Sequence, residues 1–326
     1  MKRILLIFLT NFSLSAQFLI QAEIWNGTTS TPAKADKIEI FELTEEGIQL
    51  RKTIEEPTSY FEYPVSTINP YIIRAHYRDE FYGEMISNQE FQQKNIRKKV
   101  FVYETTKDLQ GLDFHSGYQI TKFDKNLEIQ MIYVIKNQTN PPKSILPSEV
   151  EFYLPKNANI LIATISYEKT KIPQRVEVQK KEESFVINRA FKPGNSELVV
   201  QVEIPEFHFE HQIDPIQNKI KKENQRIFRV IMWRPEELQP KVEGGTLEEK
   251  QIPNLGKAFF IYYDQSVVKM DFSQGPVIFK DPLKAYKNPI FDKPWKTTFA
   301  LILGTLLIFL LIPIFAGLQI RVSKHA

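Results

Sequence analysis

The sequence predicts an all-β protein: an N-terminal β-sandwich, one or two further β-sandwich domains and a single C-terminal transmembrane helix. Three observations predict it. Apolar and polar residues alternate in run after run, Pro and Gly turn signals separate those runs, and no charged residue occurs between Lys296 and Arg321. A repeat of two is that of a half-buried strand. A charge-free window of that length, at ~1.5 Å per residue, crosses the ~30 Å hydrocarbon core of a bilayer as a helix.

The chain opens with Lys2 and Arg3 ahead of an apolar run, and its first acidic residue is Glu23. A basic start, an apolar stretch and a small residue before polar sequence form a secretory signal, expected over residues 1–22. Ala22 is the favoured cleavage point and Ala16 the second. The signal places the body outside the cytoplasm, periplasmic or extracellular, with the C-terminus cytoplasmic.

Residues 23–88 read as a small sandwich. Its strands are Lys37–Leu43, Gly47–Ile54, Tyr60–Tyr63 and a hairpin from Tyr71 to Ile86. Tyr71, Ile73, Ala75 and Tyr77 form the face expected to be buried. Arg74, His76 and Arg78 form a face expected to be solvated. Residues 89–99 are expected to be a basic connector.

Residues 100–205 are expected to form a second sandwich, and 206–292 a third β region or a continuation of the second. Leu127, Ile129, Met131, Tyr133 and Ile135 alternate with polar neighbours, as do Leu198, Val200, Val202 and Ile204. Turn signals lie at Asn140-Pro-Pro142, Lys192-Pro-Gly-Asn195, Gly244-Gly245 and Gly275-Pro276. The membrane helix is expected over 297–320 and a cytoplasmic tail over 321–326. Lys293, Trp295 and Lys296 flank the helix on one side, and Arg321 and Lys324 on the other. Trp settles at the headgroup layer, but Lys284, Lys287, Lys293 and Lys296 crowd the flank that the positive-inside rule would keep sparse. A long domain behind a working signal is translocated largely regardless of such charges.

The segment Pro70-Tyr-Ile-Ile-Arg-Ala-His-Tyr77, after the strand Lys37-Ile-Glu-Ile-Phe-Glu-Leu43 and the aromatic Tyr60-Phe-Glu-Tyr63, resembles the carboxypeptidase regulatory-like domain. That family implies a small transthyretin-like sandwich. The likeness covers about a fifth of the chain and rests on packing motifs; Glu55-Glu-Pro-Thr-Ser59 stands where the family has an Asp-x-x-Gly turn. The order of the rest is similar to bacterial envelope proteins with such a domain and a C-terminal helix.

The 326 residues include 24 Phe and 13 Tyr but no Cys, and the net charge is +3. Lack of cysteine excludes disulfides, thiolate metal sites and thiol catalysis. So small a charge does not point to nucleic acid. No cofactor is expected. Asn26-Gly-Thr28 and Asn137-Gln-Thr139 fit the glycosylation pattern. His208 and His211 are the weak candidates for a metal, since they cluster, but in an extended strand they point apart. Asp113, His115 and Ser116 lie close in sequence, which is not a triad in space. Two basic clusters, Lys94, Arg97, Lys98 and Lys99, and Lys219, Lys221, Lys222 and Arg226, offer charge to a partner or to headgroups.

The expected function is therefore that of a membrane-anchored, exported, non-enzymatic binding or scaffold module of the cell envelope. Its partners are the lipid bilayer and an envelope protein. One alternative is an accessory subunit of an envelope transport or protein-maturation complex, docked through its helix. Another is a metal-dependent hydrolase using His208 and His211.

Overall fold

A computed structural model describes residues 18–123, 126–220, 227–231, 241–252 and 256–272. The expected leader before Phe18 and the expected membrane helix with its flanks lie outside them. Among the described residues no helix is long and apolar enough to cross a membrane. Apart from residues 122–123, all of them belong to one compact unit.

The N-terminal body has eight strands: β1 (Phe18–Asn26), β2 (Thr31–Pro32), β3 (Lys37–Thr44), β4 (Gly47–Ile54), β5 (Tyr60–Val65), β6 (Tyr71–Tyr77), β7 (Glu80–Ile86) and β8 (Asn95–Val102). One four-stranded sheet holds β1 between β5 and the strands β2 and β8, and the other has the order β4-β3-β6-β7. Ile20, Ala22 and Ile24 of β1 meet Ile38, Ile40, Ile73 and Ala75 in one shared core, all fully buried. Two facing sheets with such a core are a β-sandwich.

Two expected boundaries fall inside strands. Residues 18–22, assigned to the leader, form the first half of β1, with Ile20 and Ala22 at 0% exposure. Residues 95–99, assigned to a connector, begin β8, which runs parallel to β1 from Leu19↔Asn95 to Asn26↔Val102. Ile96, Val100 and Val102 alternate inward there, while the Arg97 and Lys99 positions face solvent. The charges hid an ordinary half-buried strand.

Beyond Val102 the chain forms β9 (Thr105–Thr106), β10 (Leu112–Phe123), β11 (Leu127–Asn137), β12 (Ser144–Ile145), β13 (Asn159–Tyr167), β14 (Gln174–Arg175), β15 (Val178–Lys181) and β16 (Ser184–Ile187). After them come β17 (Gly194–Ile204), β18 (His208–Gln212), the helix α1 (Pro215–Ile220), β19 (Phe228–Ile231), β20 (Lys241–Glu243), β21 (Gly245–Ile252), β22 (Gly256–Tyr263) and β23 (Val267–Asp271). Eight strands make one sheet in the order β14-β13-β17-β11-β10-β19-β22-β21. It runs across the division expected at residue 205. β11 and β17 pair antiparallel over their whole length, and their alternate residues are buried as the sequence period requires.

A small sheet, β18-β23-β20, covers part of this sheet through Tyr118, whose ring lies 5.8 Å from Phe209 and 5.7 Å from His211. Phe152 covers another part, 5.0 Å from Tyr133. Such aromatic pairs bury large areas in preferred tilted or edge-on geometries.

Hydrogen bonds tie the N-terminal body to later segments of the chain. The Tyr82 hydroxyl lies 3.0 Å from Ser144 Oγ and donates to the Tyr103 carbonyl at 3.1 Å. The Ala190 amide donates to Glu80 Oε1 at 2.8 Å, and Thr28 Oγ1 donates to the Pro142 carbonyl at 2.6 Å.

Candidate ligand groove

The outer face of the β4-β3-β6-β7 sheet is built by register. Phe41 pairs with Ile72, Arg74 with Gly83 and His76 with Phe81, so these side chains share one face. The sequence pattern puts Arg74 and His76 on a solvated edge. Instead both are half-buried, bound to Glu39 of β3 at 3.3 Å and 2.9 Å. The Arg74 guanidinium also covers the Phe41 ring at 4.5 Å and the Phe81 ring at 4.9 Å.

The turn between β13 and β14 closes over this face. Thr170 is its inner residue, 3% exposed. A Cβ on Gly83 would stand 2.6 Å from Thr170 Cγ2, so glycine is what lets the turn come so close. On either side of this contact lies a hollow, and Gly83, Thr170 and Gln174 belong to the walls of both.

The first hollow, of about 490 Å³, is lined by Tyr82, Phe101, Tyr103 and Tyr167 with Lys169 and Lys192. The second, of about 340 Å³, is lined by Phe41, Ile72 and Phe81 with Arg74, Arg175 and Arg189. Both volumes are in the range of small-molecule sites, roughly 300–1,000 Å³.

Lys192 is the most unusual residue of the groove. Hydrogen bonds in both directions between Ile145 and the neighbouring Phe191 hold its backbone, each at 3.0 Å. The Tyr167 hydroxyl donates to the Ala190 carbonyl at 3.0 Å, which sets the Tyr167 ring against the lysine. The Lys192 ammonium lies 3.8 Å from the Tyr167 ring centre, 4.5 Å from that of Phe81 and 5.2 Å from that of Tyr82. Its residue is only 7% exposed. Burial pulls the amine down to about 7, against the attraction of Glu80. Burial likewise raises the Glu80 carboxyl, opposed by the Ala190 amide and the Lys192 charge. Glu80 Oε2, Thr170 Oγ1 and Gln174 Oε1 are buried without a hydrogen-bond partner. Orphaned polar atoms are few in a folded protein, and three of them gather here.

The residues singled out from the sequence are not brought together. His208 is exposed and pairs with Glu206 at 2.9 Å. His211 is buried on the opposite face of β18, with Nε2 2.8 Å from the Tyr153 carbonyl and Nδ1 3.4 Å from the Tyr263 hydroxyl. Strand alternation separates them, and no group of metal-ligating side chains occurs among the described residues. Asp113 and His115 touch at 3.2 Å on the exposed face of β10, while Ser116 points inward.

Both glycosylation patterns carry a buried asparagine. Asn26 Nδ2 donates to Glu104 at 2.7 Å, and Asn137 Nδ2 donates to the Lys143 and Phe191 carbonyls at 2.8 and 2.9 Å. Of the basic clusters, Lys98 pairs with Glu90, Lys99 covers Trp25 and Lys219 pairs with Glu151. Lys221, Lys222 and Arg226 lie outside the described residues.

Sequence reasoning missed the groove, although Phe41, Ile72 and Phe81 on the nominally polar face were a signal of a covered surface.

No protein-family model matches the chain, and no curated protein matches it. Among solved structures it is similar to the full-length major pilin SpaD from Corynebacterium diphtheriae, at 9% identity and a TM-score of 0.23. That alignment covers 78% of this chain and 81% of the pilin. A likeness so loose transfers nothing about the work of one protein to the other. The chain's own strands define an all-β protein of packed sheets.

Proposed function

We propose that the chain is a membrane-anchored, exported β-sandwich protein that serves as a non-enzymatic binding or scaffold module of the cell envelope. The observation that supports this best is the groove. Its walls are packed strands, and its lining of aromatic rings and fixed cations is suited to holding a ligand. The apolar window 297–320, between Lys293, Trp295 and Lys296 and then Arg321 and Lys324, supports the anchor. The basic, apolar leader supports export. The finer likeness to the carboxypeptidase regulatory-like domain is favoured by two facing four-stranded sheets in the N-terminal body.

The reading is tested in intact cells and spheroplasts. Protease added from outside should digest the body, and mild crosslinking should recover one envelope partner. That capture should persist when residues 297–320 are replaced by an unrelated membrane helix. A protected body overturns the export, and loss of capture with the exchanged helix overturns the binding role of the body.

A further inference from the structure

We propose that the groove binds a phosphorylated sugar unit, its phosphate among Arg74, Arg175 and Arg189 and its sugar ring in the aromatic hollow beside Lys192. The inference rests on the binding-module reading and names the ligand class for that site.

The charge arrangement points to an oxyanion. Three cations from two segments, β6 and the β16–β17 connection, surround the Phe81 ring: Lys192 at 4.5 Å, Arg189 at 4.6 Å and Arg74 at 4.9 Å. Like charges gathered on one ring repel, and Arg189 and Arg74 both act against the charge on Lys192. Glu39 and Glu80 offset part of this. The lining of the arginine hollow itself contains no carboxylate. A guanidinium presents paired N–H donors that match phosphate oxygens, and a tetrahedral dianion has oxygens for three of them where a carboxylate engages one or two.

The neighbouring hollow points to what carries the phosphate. Tyr82, Tyr103 and Tyr167 give it ring faces, and Lys169, held 3.6 Å from Glu84 and over Phe101, sits at its wall. Aromatic faces take the C–H faces of a sugar ring. The Thr170 and Gln174 side chains line both hollows, with Thr170 Oγ1 and Gln174 Oε1 buried within that shared wall.

The test is a titration of the purified full-length chain with glucose 1-phosphate, inorganic phosphate and glucose, followed by calorimetry and by phosphorus NMR. Glucose 1-phosphate should bind more tightly than inorganic phosphate, and glucose alone should not register. Arg175→Ala and Arg189→Ala should each weaken it about ten-fold or more, with the melting temperature unchanged, because each removes charge-assisted hydrogen bonds. Arg189→Lys should recover only part of the loss.

Equal affinity for inorganic phosphate would overturn the role of the aromatic hollow. Binding that is indifferent to both arginine variants would overturn the site. Tighter arginine-dependent binding of polyglutamate would replace the sugar phosphate by an acidic peptide. The partner captured by crosslinking should be re-examined in the Arg175→Ala, Arg189→Ala chain. Capture that persists while glucose 1-phosphate fails to bind sinks this inference and leaves the binding-module reading standing.

Discussion

Gly83 on β7 and Thr170 in the β13–β14 turn stand so close that any side chain on residue 83 would press its Cβ to 2.6 Å from Thr170 Cγ2. This contact joins the N-terminal sandwich to the turn that completes the groove. Gly83→Ala should therefore destabilise the protein by roughly 1–3 kcal/mol, the usual cost of overpacking. Thr170→Ser removes the methyl group that meets the new Cβ, so the double variant should recover most of the loss. Urea unfolding of the two single variants and the double measures the coupling directly. Additive effects would show that the two residues do not meet.

Lys192 and Glu80 shape the dependence of stability on pH. Burial lowers the Lys192 amine from 10.5 to about 7, so between those values the unfolded chain holds more protons than the folded one. Stability contributed by this residue therefore rises with pH across that window. Glu80 is raised above 4.5, so the folded chain holds more protons just above that value and stability falls as pH rises there. Together the pair produces a minimum of stability between the two windows. Lys192→Met should remove the alkaline rise, and Glu80→Gln the acidic fall, in urea midpoints measured from pH 5 to 10. Each single variant should also cost stability at pH 7, because it leaves a buried partner uncompensated. The double variant should recover much of that cost.

Glu42 works in the opposite sense. It is 3% exposed and accepts hydrogen bonds from Arg51 Nε at 2.5 Å, Thr67 Oγ1 at 2.6 Å and Asn69 Nδ2 at 2.7 Å. Burial raises its carboxyl, but the bonds from Thr67, Asn69 and Arg51 outweigh that and hold it below 4.5. The stability it contributes is present above 4.5 and is lost as pH falls through the lowered folded value. Glu42→Ala should shift acid unfolding so that the variant and the parent converge at low pH. At pH 7 the loss should be at least ~1–3 kcal/mol, the cost of one buried donor left unpaired.

The strands were legible where one face of the sheet is apolar and the other polar. In β11 the residues Leu127, Ile129, Met131, Tyr133 and Ile135 are buried as their spacing requires. The groove was not legible, because its face mixes Arg74 and His76 with Phe41, Ile72 and Phe81. Those residues come together only through the register of β3, β6 and β7 and a turn about ninety positions further on. Sequence spacing carries a strand's own period and says nothing of what packs on its outer face. β8 was obscured differently, by Lys94, Arg97, Lys98 and Lys99 around the inward Ile96 and Val100.

β1 bears on where the proposed leader would be cut. That strand pairs with β5 from Phe18↔Val65 to Glu23↔Tyr60 and with β8 along its whole length from Leu19. Cleavage after Ala22 would remove Ile20 and Ala22 from the core and strip most of the β5 pairing. Losing one buried isoleucine leaves a cavity that costs roughly 2–5 kcal/mol, a large share of the 5–15 kcal/mol by which a domain is stable. Cleavage after Ala16 leaves the strand whole. If a leader is removed on export, N-terminal sequencing of the mature chain should therefore begin at Gln17. A chain made to begin at Glu23 should unfold at a lower urea concentration or fail to accumulate. If the mature protein instead starts at Glu23 and is fully stable, Phe18–Ala22 are not needed for β1 to hold its sheet together.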